Sequence, residues 1–498
     1  MSHPTHKLPF GEKVGYSLGD SAANFVFQVL MAYQFYFFTR VMGISPVAAG
    51  TLFLVGRFFD AFTDPLMGAI ADRTKHRWGR FRPWIIWSAL PFAAIFWLTF
   101  TTPDFPDTGR LIYAFVMYFL LMAVYTVNNV PYCALNGVMT GDVNERTSLS
   151  TFRFLAVTVT TFIVQGLTWP LVGKLGGGDD AKGWSMTIGI YAAITVVLFI
   201  VCFFSVKERV QPDPNQNSTV KQDMRDTFSN RPWRILFFAT LMIFVMLVVR
   251  GGSLPFFMDY YVNRDAMFAF LQEWNLVVPL GGELTGWQTV LNTFGLLIQP
   301  DRANVPNVAY AFFNMGGNAV TIIAVLMSKP LSQAFGKRGV FITCLILTGL
   351  ATMWLLFIPA DAIGMMFLQS LVWGACYGPT IPLLWSMIAD TADYSEWKTG
   401  RRATGFVFAG VVFALKFGLG VGGFIGGLIL WAYGYQADAE LTQRALLGIR
   451  HSATLYPSLF LLAASIILLF YPITKELNLK IGDELEERRR KWAGTGAA

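Results

Sequence analysis

The chain has 498 residues, 54% of them hydrophobic and 14% charged, with a mean hydropathy of +0.49 and a formal net charge of +7. That balance is too apolar for an ordinary water-soluble protein. Apolar stretches of ~20 residues, enough to cross ~30 Å of hydrocarbon, recur along nearly the whole length.

Twelve spans are predicted in chain order, at 14–39, 46–71, 83–102, 111–139, 149–173, 184–205, 233–262, 306–328, 339–359, 363–389, 403–432 and 453–473. Residues 1–10 are polar and lack a charged, apolar and small-residue cleavage pattern, so the first stretch is expected to remain as a span. With both ends cytoplasmic, 26 of the 38 Lys and Arg residues fall inside, 8 outside and 4 within the membrane. The positive-inside rule therefore accounts for the basic balance, and no nucleic-acid partner is expected. Cys133, Cys202, Cys344 and Cys376 sit in apolar stretches without metal-ligand spacing, and the four histidines sit in tails or loops, so neither a disulfide framework nor a metal centre is expected.

The first span carries Asp20. In the second, Gly56-Arg57-Phe58-Phe59-Asp60-Ala61-Phe62-Thr63-Asp64-Pro65 places a cation and two carboxylates where each ionised group costs at least ~2.5 kcal/mol. At 3.6 residues per turn Asp60, Thr63 and Asp64 share a face, so two carboxylates and a hydroxyl can converge on a small hard cation; equally, two neighbouring acids can share a proton. The structural alternative is that Asp64 pairs with Arg57 or caps backbone freed by Pro65. A basic loop, Arg73 to Arg82, follows directly. Arg57, Arg153, Arg250 and Lys416 form the intramembrane cation set. Tyr33, Tyr36, Tyr132, Trp373, Tyr377 and Trp385 are aromatic candidates for a sugar-stacking face, set against the packing roles of most aromatics in so apolar a chain.

The segment 206–232 contains the Pro-punctuated polar run Gln211-Pro212-Asp213-Pro214-Asn215-Gln216-Asn217-Ser218, which cannot sit in lipid. It divides the chain into an N-terminal half (1–205) and a C-terminal half (233–474), followed by a cytoplasmic tail (475–498). The stretch 263–305 is read as an external insertion with interfacial helices, or a lid, because a further crossing would invert every later loop against the charge rule. The tenth span ends on Asp390, Asp393 and Glu396, expected to meet Lys398, Arg401 and Arg402 in a cytoplasmic network.

Four colinear motifs, Gly-Tyr-x-x-Gly-Asp at 15–20, Arg-x-x-Asp-x-x-x-Asp-Pro at 57–65, Trp-Gly-Arg-Phe-Arg-Pro-Trp at 78–84 and Ala-Asp-Thr-Ala-Asp-Tyr-Ser-Glu-Trp-Lys at 389–398, resemble the glycoside-pentoside-hexuronide:cation symporters, of which melibiose permease is a member. The resemblance covers essentially the whole chain. It implies an all-α membrane protein of twelve transmembrane helices in two six-helix halves, the major facilitator fold, in the bacterial inner membrane. It implies a secondary active symporter, with no enzymatic activity and no cofactor beyond the coupling cation, Na⁺ or H⁺.

By this resemblance the cation site falls on Asp60, Thr63, Asp64 and Thr126, with Thr63 departing from an Asn of melibiose permease. Substrate contacts fall on Asn24, Asn129, Arg153 and Lys416, to which the intramembrane acid Asp20 and the aromatic Trp385 are added. Asn24 and Asn129 stand where melibiose permease has acids, and Cys133 where it has Trp, so galactoside specificity is not implied. Retained cations beside lost acids suit an acidic, uronide or sulfonated sugar, while the two amides suit a neutral one. Gating is assigned to Arg77, Arg80, Arg82, Asp390 and Asp393. The partners implied are a glycoside or oligosaccharide, a monovalent cation and membrane lipid, with the chain acting as a monomer. A lysophospholipid or other amphiphile carrier of the same fold is the alternative.

Overall fold

The computed structural model describes residues 8–140, 143–209, 220–279, 284–400, 404–436 and 441–495. Those residues are almost wholly helical, and the sheet-like feature among them is one isolated bridge between Val277 and Ile298. The long helices are α1 (Phe10–Ala32), α2 (Pro46–Arg73), α3 (Arg82–Thr99), α4 (Asp107–Met139), α5 (Val143–Gly176), α6 (Asp180–Ser205) and α7 (Arg231–Phe256). They continue with α8 (Val305–Phe335), α9 (Lys337–Trp354), α10 (Ile363–Tyr377), α11 (Thr380–Thr399), α12 (Thr404–Ala432), α13 (Leu455–Leu469) and α14 (Lys475–Thr495).

Among the described residues nine segments are long and apolar enough to cross a membrane. The helices α1 and α2 fall short of that measure because Glu12, Lys13, Asp20 and Asn24 dilute the first and Arg57, Asp60 and Asp64 the second. Of these, Asp20, Asn24, Arg57, Asp60 and Asp64 are among the residues singled out as functional candidates. The predicted tenth span is two helices, α10 and α11, parted at Gly378-Pro379, and α11 runs on to Thr399, well beyond the apolar stretch.

Local chemistry explains the element ends. Pro46 opens α2, where its missing N–H costs nothing, and Ser45 before it accepts from the Ala48 N–H at 3.3 Å. Pro91, Pro131, Pro170, Pro255 and Pro330 lie inside helices, which membrane-spanning helices tolerate where neighbours re-satisfy the freed carbonyls.

In the stretch 263–305 the structure has two short helices, Arg264–Glu273 of ten residues and Gly286–Thr293 of eight. At 1.5 Å per residue they reach about 15 and 12 Å, too short to cross ~30 Å of hydrocarbon. The polar run 211–218 and residues 280–283 lie outside the described residues.

The chain divides into two compact units. The first comprises residues 1–214, 251–315 and 423–449. Here α2 and the end of α12 approach backbone to backbone: a Cβ at Gly50 would stand 2.8 Å from the Gly423 carbonyl oxygen, so only a residue without a side chain fits. Tyr36 packs against Trp169 and Phe256 with ring centroids 5.5 and 4.9 Å away, and its hydroxyl donates to Asp259 at 3.2 Å.

The second unit comprises 215–250, 316–422 and 450–498. Its core gathers Trp233, Ile243, Phe341, Leu383, Val407 and Leu461 from five helices. The Trp233 indole donates to the Val407 carbonyl at 3.0 Å, and Asn230 donates to the Thr391 carbonyl at 2.8 Å, which satisfies polar groups that lipid would leave exposed.

Candidate functional site

Arg57, Asp60, Thr63 and Asp64 occupy successive turns of α2, one helix turn being 3.6 residues. Asp60 is buried and accepts from Arg57 Nη1 at 2.8 Å, and the same guanidinium reaches the Tyr118 hydroxyl of α4 at 3.5 Å. Asp64 accepts instead from the buried Thr126 hydroxyl of α4 at 2.9 Å. Arg57 is therefore the partner of Asp60, and the alternative in which it pairs with Asp64 is not the arrangement found. The Thr63 hydroxyl donates to the Phe59 carbonyl at 3.1 Å, which leaves its oxygen lone pairs as its acceptor capacity.

The two carboxylates differ in the partners they take. Asp60 carries a built-in positive partner on its own helix, while Asp64 has a neutral hydroxyl. A positive ion arriving at the carboxylates would compete with Arg57 for Asp60 and with the Thr126 proton for Asp64. Both acids lie on α2, in a segment predicted to cross the membrane, where unneutralised charge is expensive.

A second cluster lies in the same unit. Arg153 of α5 donates through Nε to Asp20 of α1 at 2.5 Å and through Nη2 to the other carboxylate oxygen at 3.4 Å. The guanidinium lies over the Tyr132 ring at 5.6 Å and points Nη2 at the Cys133 sulfur, 3.8 Å away. The Cys133 thiol donates to the Asn129 side-chain oxygen at 3.6 Å, and the Asn24 amide donates to the Asp20 backbone carbonyl at 2.9 Å. The structure thus places Asp20, Asn24 and Arg153 in one cluster, with Asn129 joined to it through Cys133. It adds that the Arg153 charge is already met by a buried carboxylate. Trp385 and Lys416 belong to the second unit, where Trp385 stacks on Phe408 with centroids 6.5 Å apart and Lys416 is half-buried on α12.

The aromatic candidates separate. Tyr33 and Tyr132 are fully buried: Tyr33 donates to the Gln165 carbonyl at 2.9 Å and Tyr132 to the Tyr16 carbonyl at 2.7 Å, so both are packing residues. In the second unit Trp373 and Tyr377 stack at 4.7 Å, with the Arg250 guanidinium 4.2 Å from the Trp373 ring.

The basic loop has an anchor that sequence reasoning missed. The Glu208 carboxylate, just past α6, accepts three consecutive backbone N–H groups, those of Arg80 at 2.9 Å, Phe81 at 2.8 Å and Arg82 at 3.0 Å. It fills the anion position at the start of α3. Gly79, at φ +110°, abuts the same carboxylate, so a side chain there would meet both steric and conformational strain. Arg82 donates through Nη2 to the Phe203 carbonyl at 2.8 Å, and Arg77 is exposed with its guanidinium 5.1 Å from the Trp78 ring. Next along the chain, Arg209 grips Glu12 through two hydrogen bonds of 2.6 and 2.7 Å, and these hold the Arg209 guanidinium above its ordinary pKa. The available signal was scarcity, since Glu12 and Glu208 are isolated acids beside basic clusters.

In the second unit Asp390 has a partner outside the expected Lys398, Arg401 and Arg402. Asp390 accepts from Lys337 of α9 at 2.7 and 2.8 Å, whereas Lys398 lies 5.3 Å from the Tyr394 ring. Lys337 reaches Asp390 from the start of another helix, a juxtaposition no local pattern announces. Asp393 is half-buried on α11, and Arg401 and Arg402 lie outside the described residues. Among the described residues no group of three or more His, Cys, Asp or Glu side chains is placed to hold a metal ion.

A family model described as MFS/sugar transport protein matches residues 15–295 and 302–475. The chain is 34% identical over 488 residues to the inner membrane symporter YicJ of Escherichia coli strain K12, covering 97% of this chain and 96% of that protein. It is 31% identical over 490 residues to the isoprimeverose transporter of Lactiplantibacillus pentosus, covering 97% and 92%. Among solved structures, that of a D-xylose-proton symporter superposes with a TM-score of 0.59 at 12% identity, covering 93% of this chain and 98% of that one, which shows the shared major facilitator fold. The protein is a multi-pass transporter of the bacterial inner membrane and not an enzyme, and it belongs to the MFS/sugar transport protein family.

Proposed function

We propose that the protein is a secondary active symporter that couples inward movement of Na⁺ or H⁺ to uptake of a glycoside or oligosaccharide by alternating access. The observation that carries this reading is the pair of carboxylates on α2 with different partners, Arg57 on Asp60 and Thr126 on Asp64. A coupling cation is assigned to Asp60, Thr63, Asp64 and Thr126. Its binding neutralises both acids, of which Asp64 is otherwise tied to α4 through Thr126, so its affinity differs between states that do and do not keep the Thr126 contact, and coupling requires such a difference.

The sugar is assigned to Asp20, Asn24, Asn129 and Arg153 in the first unit. The pairing of Asp20 with Arg153 supports a neutral glycoside over an acidic one. A paired carboxylate and guanidinium offer an acceptor and a donor to sugar hydroxyls, whereas an acidic substrate would have to displace Asp20 from Arg153. Relatives named for glycosides and sugars support this class over an amphiphile carrier.

Counterflow of radiolabelled glycosides in proteoliposomes tests the reading, with Na⁺ and pH varied independently. Gradient-driven accumulation of a neutral glycoside, indifferent to glucuronide competitors, is the expected result. Accumulation that responds to neither ion gradient removes symport, and competition by glucuronides restores the acidic substrate.

A further inference from the structure

The helix Gly286–Thr293, in the segment between α7 and α8, turns its apolar face away from the protein. At 100° per residue Val290, Phe294, Trp287 and Leu291 fall within one arc of about 100°. Trp287, Val290 and Phe294 are 49, 57 and 40% exposed. The side that meets the rest of the chain is polar: Gln288 is buried and donates to the Asn275 carbonyl at 3.0 Å, and the Asn292 side chain accepts from Gln299 at 3.3 Å. Thr289 and Thr293 occupy a third, exposed arc. A surface helix in water does the reverse, burying its apolar arc against the protein.

The level of this helix in the fold identifies the solvent it suits. Gly295, at φ +73°, lies so close to the Pro170 carbonyl of α5 that no side chain fits, and the Lys174 ammonium donates to the Asn292 carbonyl. The apolar span of α5 is predicted to end at 173, so the helix end sits where hydrocarbon gives way to headgroups. Residues 286–293 carry no charge, and Trp is the side chain enriched at that boundary.

We infer that Gly286–Thr293 is an interfacial membrane helix, with Trp287, Val290 and Phe294 inserted among lipid headgroups and upper acyl chains and Thr289 and Thr293 turned to water. The lipid face holds the segment beside the transporter, as an anchored strap between α7 and α8 and not a lid over the transport path.

Nitroxide labels at cysteines introduced one at a time at 287, 289, 290, 293 and 294, on a background with Cys133, Cys202, Cys344 and Cys376 replaced by alanine, test this in liposomes. The ratio of oxygen to nickel-chelate accessibility at 287, 290 and 294 is expected to exceed that at 289 and 293 by about threefold or more, as for a helix lying in the interface. A ratio alike on both faces, or labels at 287, 290 and 294 shielded from both reagents by a second protein surface, overturns it. In the unmodified chain, brominated lipid should quench the fluorescence lost in Trp287→Phe. Failure of that quenching overturns the inference without recourse to the cysteine-free background.

Discussion

The hydroxyl of Thr126 on α4 donates to the carboxylate of Asp64 on α2 at 2.9 Å, joining residues 62 positions apart in the chain. The bond gives Asp64 a neutral partner where Asp60, one turn earlier, has a charged one. Thr126→Val removes that donor and one oxygen from the proposed ion site. We predict an apparent cation affinity weakened about tenfold, corresponding to ~1.4 kcal/mol, with transport recovered at saturating cation and largely retained in Thr126→Ser. Initial uptake rates over a cation titration check this, and an unchanged half-saturation in Thr126→Val removes Thr126 from the site.

Asp60→Asn leaves Arg57 without its carboxylate and the coupling ion without a charged ligand. The expected phenotype is loss of gradient-driven accumulation. Continued accumulation against a sugar gradient by purified variant in proteoliposomes is incompatible with Asp60 as a coupling residue.

Asp20 and Arg153 act as one unit in the proposed sugar site, so their effects should not add. Arg153→Gln and Asp20→Asn are each expected to raise the KM for glycoside about tenfold or more, and the double variant to lose much less than the product of the two. Multiplying effects in a double-mutant cycle on initial uptake rates would show that the contact is not used by substrate.

Glu208 is expected to matter for stability before it matters for transport. Removing its charge in Glu208→Gln leaves three backbone N–H groups with at best one weaker acceptor, a loss of about 1–3 kcal/mol. Gly79→Ala should destabilise the same loop through its positive φ and its contact with Glu208. Thermal unfolding in one detergent compares both with the parent chain. Parental stability in both variants refutes the anchoring role.

Reciprocity supplies a quantitative check on coupling. If saturating glycoside tightens cation binding by some factor, saturating cation must tighten glycoside binding by the same factor, because both report one coupling free energy. Isothermal titration of each ligand in the presence and absence of the other measures the two factors. Unequal factors would mean that the ligands do not share a simple two-ligand cycle.

Much of the architecture was legible in the chain alone because hydropathy and charge placement act locally: ~20 apolar residues must cross as a helix, and Lys and Arg collect on one side. The acids on α2 stood out for the same reason, since an ionised group in a lipid-crossing segment has a cost visible at a single position. Family resemblance, and no pattern internal to the helix, pointed to Thr126.

Tertiary structure decided which partner each group takes. The links from Asp20 to Arg153, from Glu208 to the backbone of residues 80–82, and from Asp390 to Lys337 span 133, 126 to 128 and 53 positions respectively. They depend on how each helix is rotated and set against its neighbour. In a membrane that rotation leaves little trace in the hydrophobic pattern, because lipid-facing and protein-facing sides are both apolar. It is set instead by close approaches such as Gly50 against Gly423, which exist only once the helices are packed.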